Sequence, residues 1–363
     1  MSHDFPVIDI AAVRQPQVSA AARFEIARQV ASACEEIGFF AVTGHGVPGA
    51  VIADLVAQSY AFFYLPLAEK LAVRRSRPEQ NRGYIAPGEE RLARLRGDET
   101  PPDLKELYTI GPFDTSETPY FTGPAAYPSF APNLWPVRPV ALRPALQAYW
   151  HELDRVAQSL CRIFAEALDL APDFFDDKVD RHISQLRIMH YPPPQVAPLP
   201  GQLRAGAHSD LGMMTLLYSD NDIGGLEVMD RAGRWVPVPV TDGAFTVNLG
   251  DLMMRWTNDR WRSTLHRVVN PPTATNDLSR RLSIGMFFIP NYDAVVAPIE
   301  GLGASKYPPN HRRRLPHLPV RQHRERSRRQ IDAVIAAPRF AVRPQAGSLS
   351  RFRASLPRAG RTG

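Results

Sequence analysis

Residues 183–191 read ISQLRIMHY, and this stretch is the first of about eight short apolar runs that are separated by turn residues. The runs are Ile183–Tyr191, Met213–Tyr218, Leu226–Met229, Trp235–Val240, Phe245–Leu249, Leu252–Trp256, His266–Val269 and Arg281–Ile289. Short β-prone runs at this spacing are typical of a β-sandwich or a barrel-like double sheet. We therefore predict a strand-rich domain between residues 183 and 289.

Helical patterns precede this strand cluster. Apolar residues recur at helical spacing in Ala20–Ile37, from about Gly49 to Tyr64, and in Leu142–Leu168. Residues 74–139 are rich in proline, glycine and charge, and we expect long connections with little regular structure there. Helices followed by a strand cluster predict an α+β fold, a jelly-roll core with N-terminal helices packed against it.

Composition narrows the class of protein. The chain has 363 residues, of which 44% are hydrophobic and 22% are charged, as in ordinary globular proteins. It contains no apolar run of about eighteen residues, so we expect no membrane partner. The first residues lack the features of a secretory signal. The two cysteines, Cys34 and Cys161, exclude a disulfide scaffold, and a reducing, cytoplasmic location is expected.

The basic charge of the chain is concentrated at its end. Residues 311–363 hold fourteen arginines and two acidic residues, a net charge of +12, whereas the rest of the chain carries −6. Arg-rich, proline-interrupted sequence buries little, so we expect a disordered tail. We expect no attraction to nucleic acid except through this tail, where it stays open.

A metal site is predicted around His208-Ser209-Asp210. In an extended segment, positions i and i+2 face the same way, so the imidazole and the carboxylate can reach one ion. His266, in a later strand-like run, is the candidate third ligand. Two histidines and one carboxylate form the ligand set of non-heme Fe(II) oxygenases. The alternative is a loop histidine that is hydrogen-bonded to a nearby aspartate.

A candidate carboxylate clamp lies fifteen residues after His266. Arg281 and Ser283 are two residues apart on one apolar run, so they share a strand face and could hold one carboxylate together. The alternative is an arginine that pairs with an acidic residue at the surface. Arg280 is expected on the other face, in solvent.

Together, these features resemble a known family, the 2-oxoglutarate/Fe(II) oxygenases related to isopenicillin N synthase. The resemblance covers nearly the whole chain from Phe5 to about Tyr307. The motifs that carry it are Phe5–Asp9, Gly38–Phe40 through Gly44–Pro48, Arg82–Tyr84, Asp103–Glu106, Asn248–Asp251, Trp256–Asp259 and Ser263–Val268.

The resemblance implies a double-stranded β-helix core in which His208, Asp210 and His266 bind Fe(II). It also implies that Arg281 and Ser283 bind the distal carboxylate of 2-oxoglutarate. Tyr191 matches a family tyrosine that supports the same carboxylate, although a core aromatic that ends a strand is the alternative.

The implied reaction uses 2-oxoglutarate and O2, releases succinate and CO2, and hydroxylates or desaturates a small organic molecule. We expect no catalytic residue beyond the metal site. Arg187 could pair with an acidic substrate in the pocket, but we interpret it as a solvated arginine at a strand edge.

The resemblance also divides the chain. We expect an N-terminal helical region at residues 1–120, the jelly-roll oxygenase core at 121–307 and the tail at 308–363, in a monomer. Relatives continue past residue 309 with a helix that covers the mouth of the site. We hypothesise that a frameshift produced this tail, because the codons available for residues 310–326 permit a shifted reading that resembles that helix.

Three other functions stay open. An oxidase of the same fold that needs no 2-oxoglutarate also carries an Arg-x-Ser pair. A non-catalytic scaffold, disabled by the altered C-terminus, is the second alternative. A nucleic-acid binder that works through the tail is the third, and a salt-dependent shift that is lost on truncation would identify it.

Overall fold

A computed structural model describes residues 5–15, 17–77, 79–193, 197–271 and 279–307. The predictions for the tail at 308–363 and for most of the connection between His266 and Arg281 lie outside the described residues. Within those ranges, no helix combines the length and the apolar character that crossing a bilayer requires.

Eight strands form the larger of two sheets. They are β1 (Val7–Asp9), β2 (Phe39–Thr43), β3 (Gly83–Ile85), β4 (Glu106–Ile110), β5 (Gln185–Tyr191), β7 (Met214–Ser219), β10 (Phe245–Leu249) and β12 (Arg281–Phe288). Their order across the sheet is β1-β2-β10-β7-β12-β5-β4-β3, and all neighbours are antiparallel except the parallel pair β1 and β2. Four of the eight strands come from residues 1–120, and the predicted boundary at residue 120 stays a prediction.

The smaller sheet has four antiparallel strands in the order β6-β11-β8-β9. They are β6 (Ala205–His208), β8 (Leu226–Met229), β9 (Trp235–Pro237) and β11 (His266–Val268). A buried apolar cluster joins the two sheets, with Met189 and Tyr191 from the larger sheet against Val228 and Val268 from the smaller one. The two sheets therefore face each other across a core, and the predicted jelly roll is confirmed.

Helices cover the outer face of the larger sheet. The helices are α1 (Ala20–Glu36), α2 (Gly49–Phe63), α3 (Leu67–Leu71), α4 (Pro119–Thr122), α5 (Leu142–Ala167), α6 (Asp176–Val179) and α7 (Asp251–Trp256). Short 3-10 segments occur at Ala11–Arg14, Leu92–Arg96 and Pro124–Ala126. Ser19 begins α1 by accepting a hydrogen bond from the Ala22 amide. The central helix α5 packs against α1, α2 and β12, and the predicted α+β class is confirmed.

The prediction of a strand at Leu252–Trp256 was wrong, because this run lies in helix α7. Its buried residues Leu252, Met253 and Trp256 lie on one face at helical spacing. Asp251 lies in its first turn, where an acidic side chain is favourable. A short apolar run does not distinguish a strand from a buried helix.

The prediction of little regular structure at residues 74–139 was also wrong, because β3 and β4 lie there. Strand β4 is buried along its whole length, although it contains the acidic residue Glu106. The Glu106 carboxylate accepts hydrogen bonds from Lys70 at 2.6 Å and Tyr84 at 2.6 Å, and His190 Nδ1 lies 2.8 Å away. These tertiary partners permit a charged residue in a buried strand, and local sequence does not reveal them.

Candidate metal centre

Two neighbouring strands and a turn bring His208, Asp210 and His266 together. His208 ends β6, His266 begins β11, and the two residues are paired across the smaller sheet. Asp210 follows two residues after His208. Its Oδ1 atom lies 3.9 Å from His208 Nε2 and 3.8 Å from His266 Nε2. One ligand atom from each residue lies within 4.8 Å of the other two, which is close enough to share one metal ion.

Backbone carbonyls orient both imidazoles. Nδ1 of His208 lies 2.8 Å from the Gly206 carbonyl, and Nδ1 of His266 lies 3.0 Å from the Thr264 carbonyl. Because a carbonyl accepts, each Nδ1 carries the proton and each Nε2 presents a lone pair toward Asp210. His266 also packs edge-on against Phe39, with ring centroids 5.4 Å apart, so its ring plane is fixed.

Two hydrogen bonds fix the Asp210 carboxylate on the side away from the histidines. Its Oδ2 atom accepts hydrogen bonds from Thr215 Oγ1 at 2.6 Å and from Asn248 Nδ2 at 2.8 Å. Burial opposes ionisation of this carboxyl, but the two imidazoles and these hydrogen bonds outweigh it and lower the pKa of Asp210. Oδ1 therefore stays ionised and faces the histidines.

Burial and the neighbouring His266 imidazole lower the pKa of His208 well below its usual range. A neutral imidazole is the form that binds a metal. Two imidazole nitrogens and one carboxylate oxygen on one side of a small space are a donor set that fits Fe(II).

Helix α7 holds the turn that carries Asp210. The Asp251 amide donates to the Asp210 carbonyl at 2.8 Å, and the Gly250 amide donates to the Met213 carbonyl at 3.0 Å. The approach is so close that a Cβ on Gly250 would lie 2.1 Å from the Gly212 carbonyl oxygen. The first turn of α7 therefore fixes the position of the carboxylate relative to the histidines.

Arg281 and Ser283 lie side by side on the inner face of β12. Arg281 is only 1% exposed, and its Nη2 donates to Ser219 Oγ at 2.9 Å. Among the described residues, Arg281 Nε and Nη1 and the Ser283 hydroxyl are buried and have no hydrogen-bond partner. A guanidinium and a hydroxyl with unused buried donors on one face fit a carboxylate.

Tyr191 lies opposite Arg281 on the neighbouring strand β5. Its ring centroid lies 5.2 Å from the Arg281 guanidinium carbon, at a distance typical of a cation–π contact. Arg280, one residue before the pair, is exposed and donates to the Tyr64 hydroxyl at 2.9 Å. The structure thus brings Arg281, Ser283 and Tyr191 to one place and separates Arg280 from them.

A cluster of buried and half-buried charges, whose pairing sequence analysis did not predict, lies beside these residues. Lys105 Nζ lies 2.8 Å from Glu90 and 3.1 Å from Asp103, and Arg187 lies 3.4 Å from Glu90. The interpretation of Arg187 as a solvated residue at a strand edge was wrong, because β5 is interior to the sheet. The Arg187 guanidinium lies over the Phe287 ring, 5.2 Å from the centroid.

Thr215 and Asn248 were also missed by sequence analysis. They are paired across β7 and β10, and this register brings both side chains to Asp210. Asn248 belongs to a motif that carried the family resemblance, so a signal for it existed. Thr215 gave no signal, because only the pairing of the strands identifies it.

Family models match two parts of the chain. Residues 5–138 match the model described as the N-terminal region of a non-haem dioxygenase in morphine synthesis. Residues 183–290 match the model of the 2OG-Fe(II) oxygenase superfamily, and this range includes all three residues of the candidate metal centre.

Characterised relatives match over most of their length. A 2-oxoglutarate-Fe(II) type oxidoreductase from Emericella nidulans is 34% identical over 301 residues, which cover 80% of this chain and 82% of the relative. A validamycin A dioxygenase from Streptomyces hygroscopicus subsp. limoneus is 31% identical over 301 residues, covering 82% of this chain and 80% of the relative.

Solved structures show the same architecture. A full-length Neurospora crassa protein in complex with alpha-KG has a TM-score of 0.71 and 30% identity, covering 83% of this chain and 90% of that one. A 2OG-Fe(II) oxygenase family protein from Caulobacter crescentus has a TM-score of 0.73 and 28% identity, covering 89% of this chain and 99% of that one.

Proposed function

This chain belongs to the 2-oxoglutarate/Fe(II)-dependent oxygenases, and from that premise we propose that it hydroxylates or desaturates a small organic molecule at an iron held by His208, Asp210 and His266. Fe(II) is its cofactor, and 2-oxoglutarate and O2 are its co-substrates. The observation that carries the proposal is the meeting of three ligand atoms within 4.8 Å, each on a side chain oriented by a partner behind it.

When bound, the iron supplies the activation of O2 that is coupled to conversion of 2-oxoglutarate to succinate and CO2. The contribution of the protein is orientation. His208 and His266 donate from Nδ1 to carbonyls and keep Nε2 available, while Thr215 and Asn248 keep one oxygen of Asp210 turned inward. Ligands that are held in place before the metal arrives lose little freedom on binding it.

We propose that Arg281 and Ser283 bind the distal carboxylate of 2-oxoglutarate, with Tyr191 beside them. The support is the set of unused buried donors on one face of β12 and the cation–π contact with Tyr191. A fork of N–H groups and a hydroxyl recognise a planar carboxylate by direction as well as by charge.

The substrate would lie against the same face of the larger sheet. Phe287 lies on the same face of β12 as Arg281 and Ser283, because every second residue of a strand points to the same side. The Arg187 guanidinium lies over the Phe287 ring. An aromatic surface next to a half-buried Arg187–Glu90 pair supports a small substrate with both a flat or apolar part and a polar group.

Neither the keto-acid-independent oxidase nor the disabled scaffold gains support. The relatives bear names of 2-oxoglutarate-dependent enzymes, which does not favour an oxidase that works without the keto acid. A complete and oriented ligand set likewise argues against a disabled scaffold. The alternative of nucleic-acid binding through the tail rests on residues outside the described ranges.

An anaerobic titration tests the proposal without knowledge of the substrate. Metal-free protein is titrated with Fe(II) and then with 2-oxoglutarate, and the weak visible charge-transfer band of a chelated keto acid is followed. We expect a band that is lost in His208→Ala and weakened in Arg281→Ala. His151→Ala is the matched control, because this exposed histidine lies on helix α5, where it contacts Asp114 and the Phe113 ring rather than the candidate metal ligands.

Two outcomes would contradict the proposal. Iron binding without any band at saturating 2-oxoglutarate would indicate a keto-acid-independent oxidase. Retention of iron by both His208→Ala and His266→Ala would place the metal elsewhere. With the band established, release of succinate in the presence of candidate substrates identifies the substrate, and the mass of the product separates hydroxylation from desaturation.

A further inference from the structure

A second arginine lies beside the proposed clamp and has no role so far. Arg204 directly precedes β6 and is 2% exposed. Its Nη2 donates to the Ser279 carbonyl, and its Nη1 is buried without a hydrogen-bond partner among the described residues. Within the same ranges, no carboxylate lies within 4.0 Å of its guanidinium.

Arg204 and Arg281 are neighbours around one aromatic ring. The guanidinium carbon of Arg204 lies 5.8 Å from the Tyr191 ring centroid, and that of Arg281 lies 5.2 Å from the same centroid. Neither arginine forms an ion pair with a described acidic residue. Burial and then the charge of Arg281 lower the pKa of Arg204 to about 10.

Two buried cations of like charge with unused donors are unfavourable unless an anion joins them. An exposed arginine would gain solvation instead, as Arg280 does on the other side of the strand. The pair therefore resembles a site prepared for an anion more than a structural contact.

We propose that Arg204 is a second cationic contact for the distal carboxylate of 2-oxoglutarate, beside Arg281 and Ser283. The inference rests on the proposed function of the Arg281 clamp. A carboxylate has about four lone-pair positions, so it can accept from two guanidinium groups and a hydroxyl at once. The expected consequence is selectivity for keto acids that carry a second carboxylate.

The competing role for Arg204 is purely structural. Its hydrogen bond to the Ser279 carbonyl could serve only to fix the chain before β12. In that case a substitution would affect the iron site or the fold for every ligand alike. A contact with the distal carboxylate would instead affect only ligands that carry this carboxylate, and this difference separates the two roles.

The experiment compares two keto acids on iron-loaded protein under anaerobic conditions. Dissociation constants of 2-oxoglutarate and of 2-oxobutyrate, which lacks the distal carboxylate, are measured from the charge-transfer band and by calorimetry. We expect Arg204→Met to weaken 2-oxoglutarate about tenfold or more and to change 2-oxobutyrate less than about twofold. Arg280→Met, the same substitution on the exposed neighbour, should change neither.

Two further variants sharpen the test. Arg204→Lys keeps the charge but loses the planar fork, so a loss of about threefold for 2-oxoglutarate alone is expected, and this variant serves if Arg204→Met does not fold. In the double variant with Arg281→Met, the loss of 2-oxoglutarate affinity should be smaller than the product of the two single-variant losses, because both groups contact one carboxylate.

Equal weakening of both keto acids in each Arg204 variant would overturn the proposal in favour of the structural role. Unchanged 2-oxoglutarate binding in Arg204→Met, with normal wild-type binding, would overturn the assignment of Arg204 alone. A wild-type protein that binds iron but no 2-oxoglutarate would overturn the clamp and the inference together.

Discussion

At the scale of single residues, the direction of the Asp210 carboxylate depends on two neutral donors behind it. Thr215 and Asn248 hold Oδ2, so that Oδ1 alone faces the two imidazoles. Such partners set ligand geometry without touching the metal. Their effect should therefore appear in metal affinity more than in folding.

Thr215→Val tests this role, because it removes one hydroxyl and keeps the shape of the side chain. We expect Fe(II) affinity to fall roughly 10–100-fold, measured anaerobically by competition with a chromogenic chelator. Thr109→Val is the control, since this buried hydroxyl has no hydrogen-bond partner among the described residues. Similar losses in both variants would mean that the effect is general to the sheet.

The ionisation of Glu90 predicts how the stability of the fold depends on pH. Burial opposes its ionisation, but Lys105 and Arg187 outweigh burial and lower the pKa of Glu90 from 4.5 to about 2. A depressed carboxyl pKa adds stability above the unfolded value, and this stability is lost as the pH falls from about 4.5 toward 2. Glu90→Gln should lower the free energy of unfolding by about 3 kcal/mol at pH 7.

Urea unfolding at pH 7, 5 and 3 measures this difference. The difference in the free energy of unfolding between wild type and Glu90→Gln should be constant from pH 7 to 5 and smaller at pH 3. Glu99→Gln, which breaks an exposed pair with Arg94, should change stability by less than about 0.5 kcal/mol at each pH. A gap for Glu90 that widens in acid would contradict the assigned ion pairs.

Sequence reasoning predicted the candidate metal ligands and the proposed clamp residues but not the side chains that surround them. The two-residue spacing of His208 and Asp210, and of Arg281 and Ser283, is a local property that any extended segment expresses. Thr215, Asn248, Glu90 and Arg204 acquire their positions from strand pairing and from contacts between distant segments. Such partners are not encoded in local spacing.

At the scale of elements, helix α7 is the part that sequence patterns described least well. The backbone amides at the start of this six-residue helix donate hydrogen bonds to carbonyls of the turn at residues 210–213. The same apolar residues would fit a short strand, and only their packing against the core separates the two interpretations. The helix therefore supports the turn at the candidate metal centre, and this role becomes evident only in three dimensions.

Gly250→Ala tests this support. A Cβ there would meet the Gly212 carbonyl oxygen at 2.1 Å, so the turn must shift and take Asp210 with it. We expect a loss of about 1–3 kcal/mol in the free energy of unfolding and a fall in Fe(II) affinity of about tenfold or more. The measurements are urea unfolding of the metal-free protein and the chelator competition.

Gly49→Ala is the matched control, because a methyl group added at this position, at the start of α2, would meet nothing within 4 Å. This variant should keep the free energy of unfolding within about 0.5 kcal/mol of the wild-type value and leave the iron affinity unchanged. Normal iron affinity in Gly250→Ala, despite lower stability, would show that the turn tolerates the shift.

At the scale of the whole molecule, the number and spacing of short runs predicted the jelly roll, whereas the pairing of strands did not follow from them. Strand β2, from the N-terminal region, pairs with β10, and β4 pairs with β5. These pairs join segments that are far apart in sequence, so the register depends on the assembled core. The larger sheet thereby links the N-terminal region to the strand that carries Arg281.

Because that sheet is continuous from β1 to β12, binding at the proposed clamp should stabilise the entire fold. At 100 times its dissociation constant, 2-oxoglutarate should raise the free energy of unfolding of the iron-loaded protein by about 2.7 kcal/mol, measured anaerobically in urea. If Arg281→Met weakens binding tenfold, the gain at the same concentration falls to about 1.4 kcal/mol, whereas Arg280→Met keeps the full gain. An equal gain in both variants would mean that 2-oxoglutarate stabilises the protein at a place other than β12.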